Sequence, residues 1–202
     1  MTEMLPLFLN LTGRPVALVG GGRVAAGKLQ QLVAVGARVR VIAPEICPAI
    51  SARTHGDIEL IRREFVPSDL DDVWLVVAAA TPEANREVAA AAESRRVFVN
   101  AVDDPANATA YLSGVVRRDG VTIAISTSGE APALTALVRE AVDALLPTDF
   151  GAWMEIARTA RIDWKRDAVP MEQRKPKLLR ALNEKYRSPA VPWLNAPEDS
   201  WP

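Results

Sequence analysis

One cysteine, Cys47, and one histidine, His55, are all that the 202 residues hold of either type. A lone thiol excludes an internal disulfide, and so small a Cys/His set argues against a resident metal cage. Charge of either sign is not in excess: the formal net charge is -1, which gives no reason to expect nucleic acid. Long apolar runs are missing too. The longest, Val73 to Ala80, is far short of a membrane span. Met1 to Leu11 has neither a basic start nor a long apolar segment, so no secretory signal is expected. The expected setting is a reducing cytoplasm. With 49% hydrophobic and 24% charged residues, the composition is that of a folded globular chain. Cys47 is expected to be a small core filler and His55 an exposed, inert loop residue.

What is present is an alternation of strand-like and helix-like segments. Pro15 to Val19 is a short apolar run ending in Gly20-Gly21-Gly22. Val24 to Val35 has helical spacing, with Val24, Leu29, Leu32 and Val33 expected on one face, and Gly36 ends it. Strands are predicted at Arg38 to Ala43, Ile58 to Ile61, Val73 to Ala79 and Val97 to Val102, with a helix over Pro82 to Ser94. Such alternation predicts βαβ units and a mostly parallel sheet. Ala110 to Arg117 and Val121 to Ser126 then read as two strands joined at Asp119-Gly120, a hairpin signal. A helix is predicted from Pro132 to about Leu146, with a stripe of Leu134, Leu137, Val138, Ala141, Val142 and Leu145. That stripe suits a dimer surface or the chain's own core. Residues 150–166 and 171–186 are predicted helical, and 188–202, with four prolines, is expected to be an irregular strap. The expected division is a nucleotide-binding domain at 1–109, a dimerisation region at 110–147 and a helical C-terminal region at 148–202.

Gly20-Gly21-Gly22-Arg23-Val24-Ala25 fits G-x-G-x-x-G/A, after a strand and at the start of a helix. Glycines there let a pyrophosphate approach the free N–H groups of a helix N-terminus. A tight glycine turn without a ligand is the alternative. About 20 residues further on, where an acid often holds the ribose, stands Ile42-Ala43-Pro44, with Glu45 just after. Glu45, or backbone at Ala43 and Pro44, fills that role and favours NAD. Arg23 or Arg40 near a 2'-phosphate keeps NADP open.

Beyond these motifs, the chain resembles the precorrin-2 dehydrogenase family, the N-terminal module of siroheme synthase. The likeness rests on Leu5-Pro6-Leu7-Phe8 and Gly13-Arg14-Pro15-Val16, then the triple glycine with Val24-Ala25 and Lys28. Gly36-Ala37, Ala43-Pro44-Glu45, Ala79-Ala80-Thr81 and Asn85-Arg86 follow in order. Asn100-Ala101-Val102-Asp103-Asp104-Pro105, Ser126-Thr127-Ser128-Gly129 and Arg139-Glu140 complete it. It covers about residues 4–147. The resemblance implies an α/β Rossmann-type parallel sheet with a hairpin-plus-helix dimerisation region, and a helical C-terminal region. It implies a homodimer that oxidises the tetrapyrrole precorrin-2 to sirohydrochlorin with NAD, and in some members inserts ferrous iron as a substrate. It puts the key aspartate on Asp103, and cofactor contacts on Gly20, Gly22, Arg23, Val24, Pro44, Glu45, Ala80 and Thr81. No methyltransferase domain is expected in 202 residues. The chain departs from the family at Gly27 and at Thr127, where a serine phosphorylated in some relatives would align.

Asp103 follows a strand at the sheet's carboxyl end, where ligands bind in open α/β folds. A carboxylate there is a candidate proton acceptor; Asp-Asp-Pro is also good turn chemistry. Ser126, Thr127 and Ser128 are candidates for binding substrate carboxylates or for capping the next helix. Arg117, Arg118 and Arg139 are candidates for lining an acid-binding cleft or for solvated surface charge. Two alternatives to the bifunctional enzyme are open: a dehydrogenase alone, and a non-catalytic NAD-sensing dimer.

Overall fold

The computed structural model describes residues 4–53 and 56–185, so His55 and the strap at 188–202 lie outside the described residues. Its residues divide into two units, one of 1–113 with 126–135 and one of 114–125 with 136–202.

The first unit is built on five parallel strands: β1 (Pro15–Val19), β2 (Arg38–Ile42), β3 (Ile58–Ile61), β4 (Leu75–Ala78) and β5 (Phe98–Ala101). Their order across the sheet is β3-β2-β1-β4-β5. Of the three strands paired on both sides, β1 and β4 read as apolar runs because both of their faces are covered. Strand alternation sorts the core into two layers. Val16, Leu18 and Val77 pack with Ala25, Leu29 and Leu32 of helix α1 (Arg23–Ala34). On the other face Ala17, Val19, Val76 and Ala78 pack with Val88, Ala91 and Ala92 of the helix over Pro82–Arg95. A single turn at Pro48–Ser51 (α2) precedes that helix, which is therefore α3.

Helix α1 turns a different face inward from the one expected. Ala25, Leu29 and Leu32 are buried, whereas Val24 and Val33 are exposed. The buried set follows i, i+4, i+7 spacing and brings the smallest side chain closest to the sheet. The segment from Ala110 also differs, because the strand β6 begins only at Gly114. Residues 109 and 110 instead donate their backbone N–H groups to the Val99 carbonyl at 2.9 and 2.8 Å. Leu112 then packs into the α1-side layer.

In the second unit β6 (Gly114–Arg118) and β7 (Val121–Ile125) form an antiparallel hairpin. Its turn, Asp119-Gly120, has positive φ at both residues, as the sequence signal requires. The Asp119 carboxylate accepts the Gly151 N–H at 2.8 Å, at the start of α5 (Phe150–Arg166). Helix α4 (Pro132–Leu145) lies between them in sequence. Arg118 donates to Asp143 and to the Leu146 carbonyl, both at 2.6 Å, which ties the hairpin to the end of α4. Helix α6 (Met171–Lys185) pairs with α5 and buries Leu182. No helix among the described residues is long and apolar enough to cross a membrane.

Candidate functional site

The carboxyl edge of the parallel sheet carries a cleft of about 480 Å³ lined by Gly20, Gly21, Gly22, Ala43, Pro44, Glu45, Ala79, Ala80 and Thr81. Three strand ends, β1, β2 and β4, supply it. Six of the residues named from sequence as cofactor contacts line it: Gly20, Gly22, Pro44, Glu45, Ala80 and Thr81. Arg23 and Val24 begin α1 directly after the glycines, and both are exposed.

The three glycines have different reasons. Gly20 has φ +130, and a side chain there would strike the Ala79 carbonyl. A side chain on Gly21 would collide with the Glu45 carbonyl, which packs over the loop. Both are demanded by the protein's own backbone. Gly22 is not: a Cβ on it would meet nothing within 4 Å. The open space lies at the N-terminus of α1, where Gly22 is the capping position and no side chain caps the helix. No acid stands in its first turn. The first N–H groups of α1 are therefore available to an anion, and a pyrophosphate fits that chemistry.

Around the cleft the supports are specific. The buried Asn85 accepts the Ala80 N–H at 3.1 Å and holds the loop after β4. Thr81 caps α3, accepting the Ala84 N–H at 3.3 Å. Arg40 reaches across to Glu59 on β3, N···O 3.5 Å, and so is drawn into a surface ion pair.

Asp103 does not line the cleft; it lies further along the same edge. Val102 donates its N–H to the Ala78 carbonyl at 2.9 Å, so Asp103 follows one residue beyond the pairing of β5 with β4. With strands about 4.8 Å apart, the ends of β1 and β5 are separated by roughly 10 Å. Asp103 has φ +56, is exposed, and its carboxylate makes no hydrogen bond with a described residue. Asp104 differs: its carboxylate accepts the Asn107 side-chain N–H at 2.7 Å, inside the 3-10 turn Pro105–Asn107. Asp104 thus serves the 3-10 turn, while Asp103 lies inside the turn that follows β5, closed by the Asp104 N–H to the Ala101 carbonyl at 3.4 Å.

The hydroxyl loop sits close by in the same unit. Gly129 packs on Pro105 and the Tyr111 ring, where an added Cβ would come within 3.4 Å of both. Ser126 Oγ accepts the Ser128 N–H at 3.1 Å, and Thr127 Oγ1 accepts the Ala131 N–H at 3.2 Å. These two side chains serve the turn into α4, whereas Ser128 makes no hydrogen bond through its side chain among the described residues. Arg118 is committed to Asp143, and Arg139 pairs with Glu140 at 3.3 Å.

Two residues were not singled out as site residues from sequence. Asn100 on β5 is buried and donates to the Ala110 carbonyl at 3.0 Å, yet its Oδ1 has no partner among the described residues. Lys28 on α1 is partly buried and within electrostatic range of Asp103. Only their position in a strand-end motif and after a glycine loop marks them in the sequence.

A parallel sheet with a glycine turn into the first helix, and a cleft at the strand ends, defines a dinucleotide-binding fold of the Rossmann type. The chain belongs to the family described as putative NAD(P)-binding, whose model matches residues 7–114. A second model, described as sirohaem biosynthesis protein central, matches residues 118–145. The siroheme synthase of Photorhabdus laumondii is 38% identical over 186 residues, covering 91% of this chain and 40% of that one. Siroheme synthase 3 of Aeromonas hydrophila is 39% identical over 175 residues, covering 86% and 37%. The chain therefore spans about 40% of the length of the curated relatives it matches. Among solved structures, one titled SirC, precorrin-2 dehydrogenase, has the same fold. Its TM-score is 0.68 at 23% identity, covering 93% of this chain and 94% of that one.

Proposed function

We propose that this chain is an NAD-dependent precorrin-2 dehydrogenase of sirohaem biosynthesis that also inserts ferrous iron, working as a homodimer in the cytoplasm. The observation that carries the reading is Asp103: a carboxylate without a structural hydrogen bond, on the edge that holds the dinucleotide cleft. A non-catalytic NAD sensor has no need of it.

NAD, when bound, supplies the hydride acceptor. The α1 N-terminus and Gly22 hold its pyrophosphate, with Arg23 and Val24 at the mouth. Glu45 binds the adenosine ribose hydroxyls, with Pro44 beside it, and its charge disfavours a 2'-phosphate. The diversion of Arg40 to Glu59 supports NAD over NADP in the same sense. Ala80 and Thr81, held by Asn85, border the cofactor on the β4 side. Asp103 accepts the proton that leaves the tetrapyrrole as its hydride departs, so that two hydrogens are lost in all. When ferrous iron enters the ring as substrate, the same carboxylate receives the displaced pyrrole protons. Ser128, with Ser126 and Thr127 shaping its loop, binds a substrate carboxylate. Anaerobic incubation with precorrin-2 and NAD tests this. NADH and sirohydrochlorin should form together, and sirohaem should follow on adding ferrous iron. NADH formation with no sirohaem leaves a dehydrogenase alone.

The dimer reading rests on α4. Leu134, Leu137 and Leu145 are 52%, 64% and 77% exposed, which is unusual for an apolar stripe of this length. Two copies related by a two-fold axis bury the stripe twice. Sedimentation of the wild-type protein at micromolar concentration should give a dimer, and Leu137→Asp a monomer. A monomeric wild type refutes the interface.

A further inference from the structure

Lys28 stands on α1 three residues after Ala25 and one before Leu29, both fully buried against the sheet. Its side chain therefore leaves the helix at the margin of the buried face. Val102, Ala110 and Leu112 pack against the layer that Ala25 and Leu29 help build, so Asp103 follows directly on a residue of that layer. Lys28 and Asp103 attract one another across this junction without forming an ion pair within 4.0 Å. The lysine makes no hydrogen bond or salt bridge with any described residue. Burial pushes its ammonium below the ordinary lysine value, and the Asp103 carboxylate works the other way.

We propose that Lys28 is a substrate-binding residue of the Asp103 site, its ammonium pairing with an acid side chain of a polycarboxylate substrate and adding to the affinity for it. This rests on the functional reading above, and deepens it by assigning the cation. Of the three arginines named from sequence, Arg118 is occupied by Asp143 and Arg139 by Glu140, and Arg117 is exposed on β6 in the other unit. An anchor that holds substrate and transition state alike acts on KM and leaves kcat in place.

Steady-state kinetics of Lys28→Gln and Lys28→Arg with precorrin-2 and NAD test the proposal. Losing one charge-assisted hydrogen bond should raise the KM for precorrin-2 by about 10- to 100-fold in the glutamine variant. The kcat and the NAD affinity should stay near wild type, and arginine should recover part of the loss. A second measurement needs no turnover. Acylation of Lys28 at mildly alkaline pH, followed by peptide mass spectrometry, should speed up in Asp103→Asn, because the carboxylate that helps hold the ammonium's proton is gone. Wild-type turnover with an unchanged KM in Lys28→Gln overturns the assignment alone. Wild type without precorrin-2 oxidation overturns the functional reading instead. Lys28 acylation indifferent to Asp103→Asn overturns the juxtaposition of the two residues.

Discussion

Asp103→Asn should fold normally, bind NAD and tetrapyrrole, and lose turnover by about 10² to 10⁴. That is roughly 3 to 5 kcal/mol of barrier. The structure makes this a clean substitution. Asp103 occupies the left-handed region, φ +56, which asparagine tolerates as well as aspartate does. Its carboxylate makes no hydrogen bond that the amide would break. What the amide cannot do is take a proton. Asp104→Asn is the contrast, because its carboxylate pairs with Asn107 in the turn. That variant should show a small drop in melting temperature and near-normal rates. NADH absorbance under anaerobic conditions, with thermal melts alongside, separates the two. Full activity in Asp103→Asn would remove the residue on which the functional reading stands. Iron insertion should fall with oxidation if one carboxylate serves both; its survival would confine Asp103 to the redox step.

Gly22→Asp should abolish NAD binding without harming the fold. Gly22 has φ -85 and ψ -171, extended backbone open to any residue, and a Cβ there meets nothing within 4 Å. Aspartate is also a good helix N-cap, so the melting temperature should hold or rise slightly. The new carboxylate takes the free N–H groups of α1 and puts a negative charge where the pyrophosphate binds. Two such charges about 4 Å apart near a protein surface repel by on the order of 4 kcal/mol, about a thousand-fold in affinity. Calorimetric titration with NAD measures this directly. Wild-type affinity in a folded Gly22→Asp protein would mean that the loop is a turn and not a phosphate cradle.

The glycine loop and the alternation of strands with helices were legible because their signals are local. An apolar run, three glycines and a striped segment sit next to one another in the chain. Asp103 was legible as a strand-end carboxylate, though its separation from Asp104 was not. That separation depends on the Asn107 side chain folding back, which no spacing reveals. Ala110 to Ser113 reads as strand because apolar residues dominate it, yet its hydrogen bonds go to Val99, ten or more residues back. Lys28 stands in the sequence only as part of the family resemblance. Its link to Asp103 depends on Val102, Ala110 and Leu112 packing against the layer that α1 helps build, which is tertiary. Val24 and Val33 look like core on a helical wheel, but the smaller Ala25 permits the closer approach to β1 and takes the inward position.

The pairing at β5 has a consequence for how copies of this chain can meet. β5 is the last strand of its sheet, and such a strand ordinarily offers a row of open donors and acceptors to any passing extended chain. Here the centre of the row is already taken. Thr109 Oγ1 accepts the Val99 N–H at 2.9 Å and the Val99 carbonyl receives two N–H groups, while the Asn100 side chain donates to the Ala110 carbonyl and holds the covering chain in place. The seal is irregular chain, and it closes the centre of this edge to a sixth strand from a neighbour.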